Sequence, residues 1–129
     1  MRNGERRRAR GFTIIELIVV LAAIGLLLAI AAPRYVQHID HAREVALRQD
    51  LQQVRAAIDQ FHADQMRYPA TLDELVKAGY LRTVPVDPIS ESADTWKVDT
   101  PAGQGAGAVY DLHSGAGGHA ADGSTYASW

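Results

Sequence analysis

Residues 10–17, Arg10-Gly11-Phe12-Thr13-Ile14-Ile15-Glu16-Leu17, open an apolar run from Phe12 to Ala32, 21 residues that contain one charge, Glu16. At a rise of ~1.5 Å per residue, a helix of this run reaches about 31 Å, close to the ~30 Å hydrocarbon thickness of a bilayer. A carboxylate held near the centre of a bilayer costs at least ~2.5 kcal/mol on insertion scales, so an acid in this run asks for a partner. The plainer alternatives are an acid that is simply protonated or one that snorkels to the interface.

Working outward toward the N-terminus, residues 1–11 carry five arginines (Arg2, Arg6, Arg7, Arg8 and Arg10) against the single acid Glu5. The remainder holds 8 basic and 14 acidic residues, a net charge of −6 hidden behind the overall −2. An acidic folded part argues against a nucleic-acid partner. Under the positive-inside rule the arginines keep their end of the run in the cytoplasm, so a single-pass, N-in topology is expected with the rest translocated. The chain's 129 residues support one small domain besides the apolar segment, and with no cysteine there is neither a disulfide nor a thiolate metal site. Stability must then come from a long packed helix, a metal or neighbouring subunits.

Toward the C-terminus, four segments are expected: a basic leader at 1–11, a transmembrane and assembly helix at 12–33, an amphipathic helix at 34–66 and a small α/β head at 67–129. Leu47, Leu51, Val54, Ile58 and Phe61 recur at spacings of 4, 3, 4 and 3, one stripe of an amphipathic helix. Arg43, Glu44, Arg48, Gln49, Asp50, Gln52, Gln53, Arg55 and Asp59 form the face assigned to solvent. One helix is predicted from Thr13 to Gln65, kinked but not ended by Pro33, which removes one backbone hydrogen bond. Pro69 disfavours helical geometry at Tyr68 and stops it. Thr71-Leu72-Asp73-Glu74 is a capping-box pattern that opens a short helix ending at Gly79. Val84-Pro85-Val86-Asp87-Pro88 is extended, but its two prolines bar it from a central strand. Strands are predicted at Thr95–Asp99 and Ala108–Leu112, joined by the glycine-rich connection TPAGQGAG. The tail from Ser114 reads as loop, anchored by Tyr126 and Trp129.

No catalytic constellation is visible, so a non-enzymatic protein is expected. His38 and His41 have helical metal-site spacing without a third ligand. His113 and His119 read as solvated. Gly103, Gly105 and Gly107 lack the strand-to-helix context of a phosphate-binding loop. Asp87, Glu91, Asp94 and Asp99 read as a solvated rim.

The stretch from Arg10 to Leu17 resembles the cleavage and methylation motif of type IV pilin-like proteins, and Pro33 stands where that family carries a kink proline. Gln65-Met66-Arg67-Tyr68-Pro69, the capped helix after it, Val86-Asp87-Pro88 and the aromatic terminus Tyr126-Ala127-Ser128-Trp129 are similar to the major pseudopilins of type II secretion systems. The resemblance implies an α+β fold, in which a long N-terminal helix packs on a small antiparallel sheet. It implies that a prepilin peptidase cuts after Gly11 and methylates the new N-terminus at Phe12. It further implies a homopolymer that works with minor pseudopilins and an inner-membrane secretion platform, its head domain periplasmic.

The chemistry of the residues supports that implication independently. Cutting after Gly11 removes the five arginines and leaves an amine on Phe12, four residues from Glu16. In a bundle, Glu16 of one chain can pair with the Phe12 amine of another; at 4 Å and an effective dielectric of about 20 the attraction is of order 4 kcal/mol, comparable to the insertion penalty. Gly25, Ala22, Ala23 and Ala29 let such helices approach closely.

The family resembled often carries a calcium loop near the C-terminus. Here Asp111, Ser114 and Asp122 are the calcium candidates, a poor carboxylate supply for an ion that wants six to eight oxygens, so no cofactor is expected and calcium is the alternative. Two rival readings of function stand beside the pseudopilin. One is a type IV pilin or minor pilin, disfavoured by the lack of cysteine. The other is a periplasmic binding protein or enzyme behind an ordinary secretory signal cut near Ala29-Ile30-Ala31, disfavoured by Glu16 and by a run longer than the ~7–15 residues of a signal core.

Overall fold

The computed structural model describes residues 11–103 and 107–129. The basic leader, residues 1–10, and Gly105 of the glycine-rich connection lie outside the described residues. Helix α1 runs from Ile14 to Gln65, 52 residues, and passes through Pro33 without interruption. The chain divides into two compact units, one ending at His38 and one spanning Ile39–Trp129. The second unit holds the core.

That core is built on the part of α1 whose apolar stripe is legible in the sequence. Leu47, Leu51, Val54, Ile58 and Phe61 are all buried, joined by Ala57 on the same face. They pack with Leu75 and Leu81 from the segment after α1, and with Val109, Leu112, Ala116, Ala120 and Tyr126 from the last third of the chain. Phe61 also meets Tyr80 edge to face, ring centroids 5.4 Å apart. The helix ends in a left-handed residue, Met66, whose φ is 56°. A non-glycine residue pays a steric cost there, where helices usually end on a glycine.

Helix α2, Leu72–Lys77, follows from its cap: the Glu74 amide donates to the Thr71 hydroxyl at 3.2 Å. The Glu74 carboxylate reaches back one residue further than the usual box, taking the Ala70 amide at 2.6 Å and Arg67 at 2.6 Å. Gly79 turns the chain out of the helix with a φ of 86°. The sheet consists of two antiparallel strands, β1 at Lys97–Asp99 and β2 at Asp111–His113, in the register Lys97–His113, Val98–Leu112 and Asp99–Asp111. The α+β class is therefore as expected from the sequence.

Both strands are shorter than predicted, and the second is displaced. The Val109 amide donates to the Pro69 carbonyl at 2.7 Å, so that residue ties the hairpin to the loop after α1 instead of joining the ladder. Trp96 is likewise drawn away, its indole donating to the Pro85 carbonyl at 2.8 Å.

Three residues assigned to solvent serve the fold instead. Asp87 is fully buried, and its carboxylate accepts the Ser114 hydroxyl at 2.5 Å and the amides of Ile89 and Ser90 at 2.8 and 3.3 Å. A buried carboxylate persists only when so satisfied. Glu44 is buried on the helix face that carries Leu47 and Leu51. His113 lies between Asp99 and the chain's end, its ring nitrogens 3.0 Å from the Asp99 carboxylate and 2.6 Å from the Trp129 carbonyl oxygen.

Ser114 reaches Asp87 because the next residue is a glycine: a Cβ on Gly115 would overlap the backbone carbonyl of Thr95. Gly115→Ala is therefore expected to destabilise the second unit by about 1–3 kcal/mol, a drop in melting temperature of roughly 4–8 °C per kcal/mol. Met66→Gly relieves the left-handed strain at the end of α1 and is expected to raise the same midpoint by a few degrees, of order 1 kcal/mol. Circular dichroism melts of the two variants check both signs.

Candidate assembly site

In the first unit the helix buries nothing. Every residue from 11 to 38 is exposed, including Leu17, Ile18, Leu21, Leu26, Leu27 and Leu28. Its most apolar 18-residue window has a mean hydropathy of 3.0, so this is a helix long and apolar enough to cross a membrane. An apolar face of this extent requires lipid or other helices around it.

The first turn is built by Thr13. Its hydroxyl accepts the Glu16 amide at 3.1 Å, and its carbonyl accepts the Leu17 amide at 3.1 Å. Thr13 thus stands just outside α1 as its cap, which is why the helix starts one residue later than the sequence pattern suggests. The signal was available: Thr13-Ile14-Ile15-Glu16 has the same Thr-x-x-Glu spacing as Thr71-Leu72-Asp73-Glu74. The cap matters more in hydrocarbon than in water, because no solvent satisfies the orphan amides of the first turn.

Gly11, Phe12 and Glu16 are all exposed and lie together at this end of the helix. Among the described residues, no side chain pairs with or hydrogen-bonds the Glu16 carboxylate. The helix dipole places partial positive charge at the same end, which favours an acid in the first turn but does not neutralise it. Pro33 lies inside the helix, where it leaves the Ala29 carbonyl without its usual donor.

The calcium candidates are not brought together. Asp111 accepts from the Arg55 guanidinium at 2.7 Å, Ser114 gives its hydroxyl to Asp87, and Asp122 is held by Arg48 at 3.2 Å and by Ser124. Among the described residues no group of three or more His, Cys, Asp or Glu side chains is placed to hold a metal ion. Each candidate side chain is engaged with a different partner, so the three are not gathered about one point.

An exposed apolar helix led by a glycine, an aromatic and an acid, joined to a small α+β head, defines a protein of the pilin-like class. Residues 6–32 match the family described as the prokaryotic N-terminal methylation motif. The chain is 34% identical over 100 residues to the type II secretion system core protein G of Pseudomonas aeruginosa, a match covering 65% of this chain and 70% of that protein. It is 32% identical over 98 residues to the protein of the same name from Klebsiella pneumoniae, covering 64% and 70%. The type IV narrow pilus major component PilA5 of Thermus thermophilus is 46% identical over 50 residues, 39% of this chain and 43% of that protein. No solved structure matches the chain. The chain belongs to the family of type II secretion system core protein G.

Two outcomes are expected from this geometry. Thr13→Val removes the cap, so the Glu16 amide should exchange its hydrogen about fivefold faster in micelles, as expected of a cap worth ~1 kcal/mol, while Thr13→Ser should not. The second concerns pH. Hydrogen bonds from Arg67 and then the Ala70 amide lower the Glu74 carboxyl. Burial alone would raise Asp111, but the Leu112 amide and Arg55 outweigh it and bring it down. Ser124, by side chain and amide, lowers Asp122. Asp50 runs the other way, raised by burial and by the Asp87 charge. A carboxyl depressed in the folded state contributes stability that is present above its unfolded value and lost as pH falls, so melting midpoints should decline below about pH 4.

Proposed function

We propose that this chain is a structural subunit of a type II secretion pseudopilus and not an enzyme. In this reading a prepilin peptidase cuts after Gly11 and methylates Phe12. The subunit waits in the bacterial inner membrane as a single-pass protein with its head in the periplasm. It then polymerises with its own copies through the first half of α1. Prepilin peptidase, minor pseudopilins and the inner-membrane secretion platform are its partners.

One observation carries the reading: the Glu16 carboxylate has no partner among the described residues, in a helix whose every neighbouring side chain is exposed. Cleavage after Gly11 supplies the missing cation four residues away on Phe12. A neighbouring chain can present its own Phe12 amine to Glu16, whose backbone amide is held by Thr13. The attraction, of order 4 kcal/mol, offsets the cost of keeping the acid in hydrocarbon and fixes the axial offset between chains. Pro33 is proposed as the kink between the lipid-embedded part of α1 and the part that carries the head. Domain limits at 11, 33 and 66 follow the same division of labour.

The relationship to type IV pilins supports a second reading, but the likeness to the Thermus component extends over less than half of either chain, whereas the core protein G relatives are matched over about two thirds. Deleting the gene separates them: a pseudopilin is needed for export of folded proteins to the medium, a pilin for surface fibres.

Mass spectrometry of the mature N-terminus tests the processing step. A chain beginning at methylated Phe12 is expected; one beginning near Ala32, or one retaining the leader, contradicts it. Glu16→Ala should insert into the membrane as well as or better than the parent chain and lower fibre yield by at least about tenfold, since each contact loses an attraction of several kcal/mol. Normal yield would refute the pairing.

A further inference from the structure

Two of the calcium candidates, Ser114 and Asp122, lie in a segment that packs Ala116 and Ala120 into the core, with Tyr126 just after it. What holds it comes from α1. The Glu44 carboxylate, through one oxygen, accepts the Ala121 amide at 2.9 Å and the Tyr126 hydroxyl at 3.2 Å. One helical turn further along, Arg48 reaches Asp122 at 3.2 Å, and its guanidinium stacks 4.1 Å from the centre of the Trp129 ring. Trp129 in turn donates from its indole to the Ser124 hydroxyl at 2.7 Å and meets Tyr126 edge to face at 5.4 Å. The loop closes on itself inside this frame: the Ala120 amide donates to the Ser124 carbonyl at 2.7 Å, and the Gly123 amide to the Ala120 carbonyl at 2.9 Å.

We propose that the loop from Ser114 to Thr125 is fastened to α1 by side chains of that helix, with Glu44 as the central receptor, and that its order does not depend on a divalent cation. A bound calcium ion orders a loop by gathering carboxylates and carbonyls from several parts of it. Here the polarity is reversed. A single carboxylate fixed on a helix gathers a backbone amide of the loop, from Ala121, and the phenol of Tyr126 that follows it. Glu44 can do this because it shares the helix face of Leu47 and Leu51, so the packing of the core holds its side chain against the loop. Burial and the Glu44 carboxylate both hold the Tyr126 hydroxyl in its protonated, donating form by raising its pKa. Arg48, more exposed, guards the edge: it occupies Asp122, the one carboxylate inside the loop, and covers the Trp129 ring. Glu44 is therefore a positioning residue for the loop. The inference rests on contacts within the second unit and stands whether or not the secretion reading holds.

The test is thermal melting and limited proteolysis of the full processed chain in detergent, in buffer with chelator and in buffer with millimolar calcium. The parent chain should melt at the same temperature in both. Glu44→Ala should melt about 10 °C lower and be cut faster between residues 114 and 125, and Glu44→Gln, whose amide oxygen still accepts, should recover most of the loss. Tyr126→Phe removes one donor without touching the helix; it should lower the midpoint by about 3 °C and speed cleavage of the same segment, which keeps the inference open to refutation if Glu44→Ala does not accumulate. A midpoint raised several degrees by calcium or lowered by chelator would overturn the inference. So would a loop whose cleavage is unchanged in Tyr126→Phe.

Discussion

The structure turns on a carboxylate that no other described residue satisfies. Glu16 sits in the first turn of a helix surrounded by exposed aliphatic side chains, with its amide taken by Thr13 and its acid group facing no donor among the described residues. A soluble protein would bury such a helix or lose such an acid. A membrane subunit can keep both, provided the missing charge is supplied from outside, and the amine generated on Phe12 by removal of the leader is the nearest chemical source. In the proposed reading, processing and assembly are coupled by electrostatics: the cut that removes the arginines would also create the group that the acid requires.

The second unit meets a different requirement. It is small, has no disulfide, and its sheet is two strands of three residues each. Such a sheet adds little stability by itself, so α1 provides most of the framework. The apolar stripe from Leu47 to Phe61 forms one wall of the core. The polar residues that flank it reach outward to fasten the rest: Arg55 to Asp111 and the Leu112 carbonyl, Glu44 to Ala121 and Tyr126, Arg48 to Asp122 and Trp129. The same helix thus carries an exposed apolar segment up to His38 and one wall of the head's core after it.

Much of this was legible from residue order. The apolar run, the stripe, the cap at Thr71 and the aromatic anchors depend on periodicity and local hydrogen bonding, which a sequence displays directly. The buried charges were not legible. Glu44 lies three residues before Leu47, on the stripe's own face, but its residue type points to solvent; its partners are 77 and 82 positions away. Asp87 stands among prolines and loop residues, and only the close approach permitted by Gly115 brings Ser114 to it. The strands slipped for a similar reason, since the Val109 amide is claimed by Pro69 from a distant turn. Contacts between remote segments decide these positions, and no local pattern encodes them.

The proposed assembly rests on a charge contact between chains. Fibres assembled from a mixture of subunits, half carrying nitrogen-15 at the Phe12 amine and half carrying carbon-13 at the Glu16 carboxyl, report it by solid-state dipolar recoupling. A measurable coupling is expected between differently labelled chains, corresponding to a nitrogen-to-oxygen separation of about 4 Å or less. Coupling found only when both labels share one chain, or none at all in well-formed fibres, would contradict it.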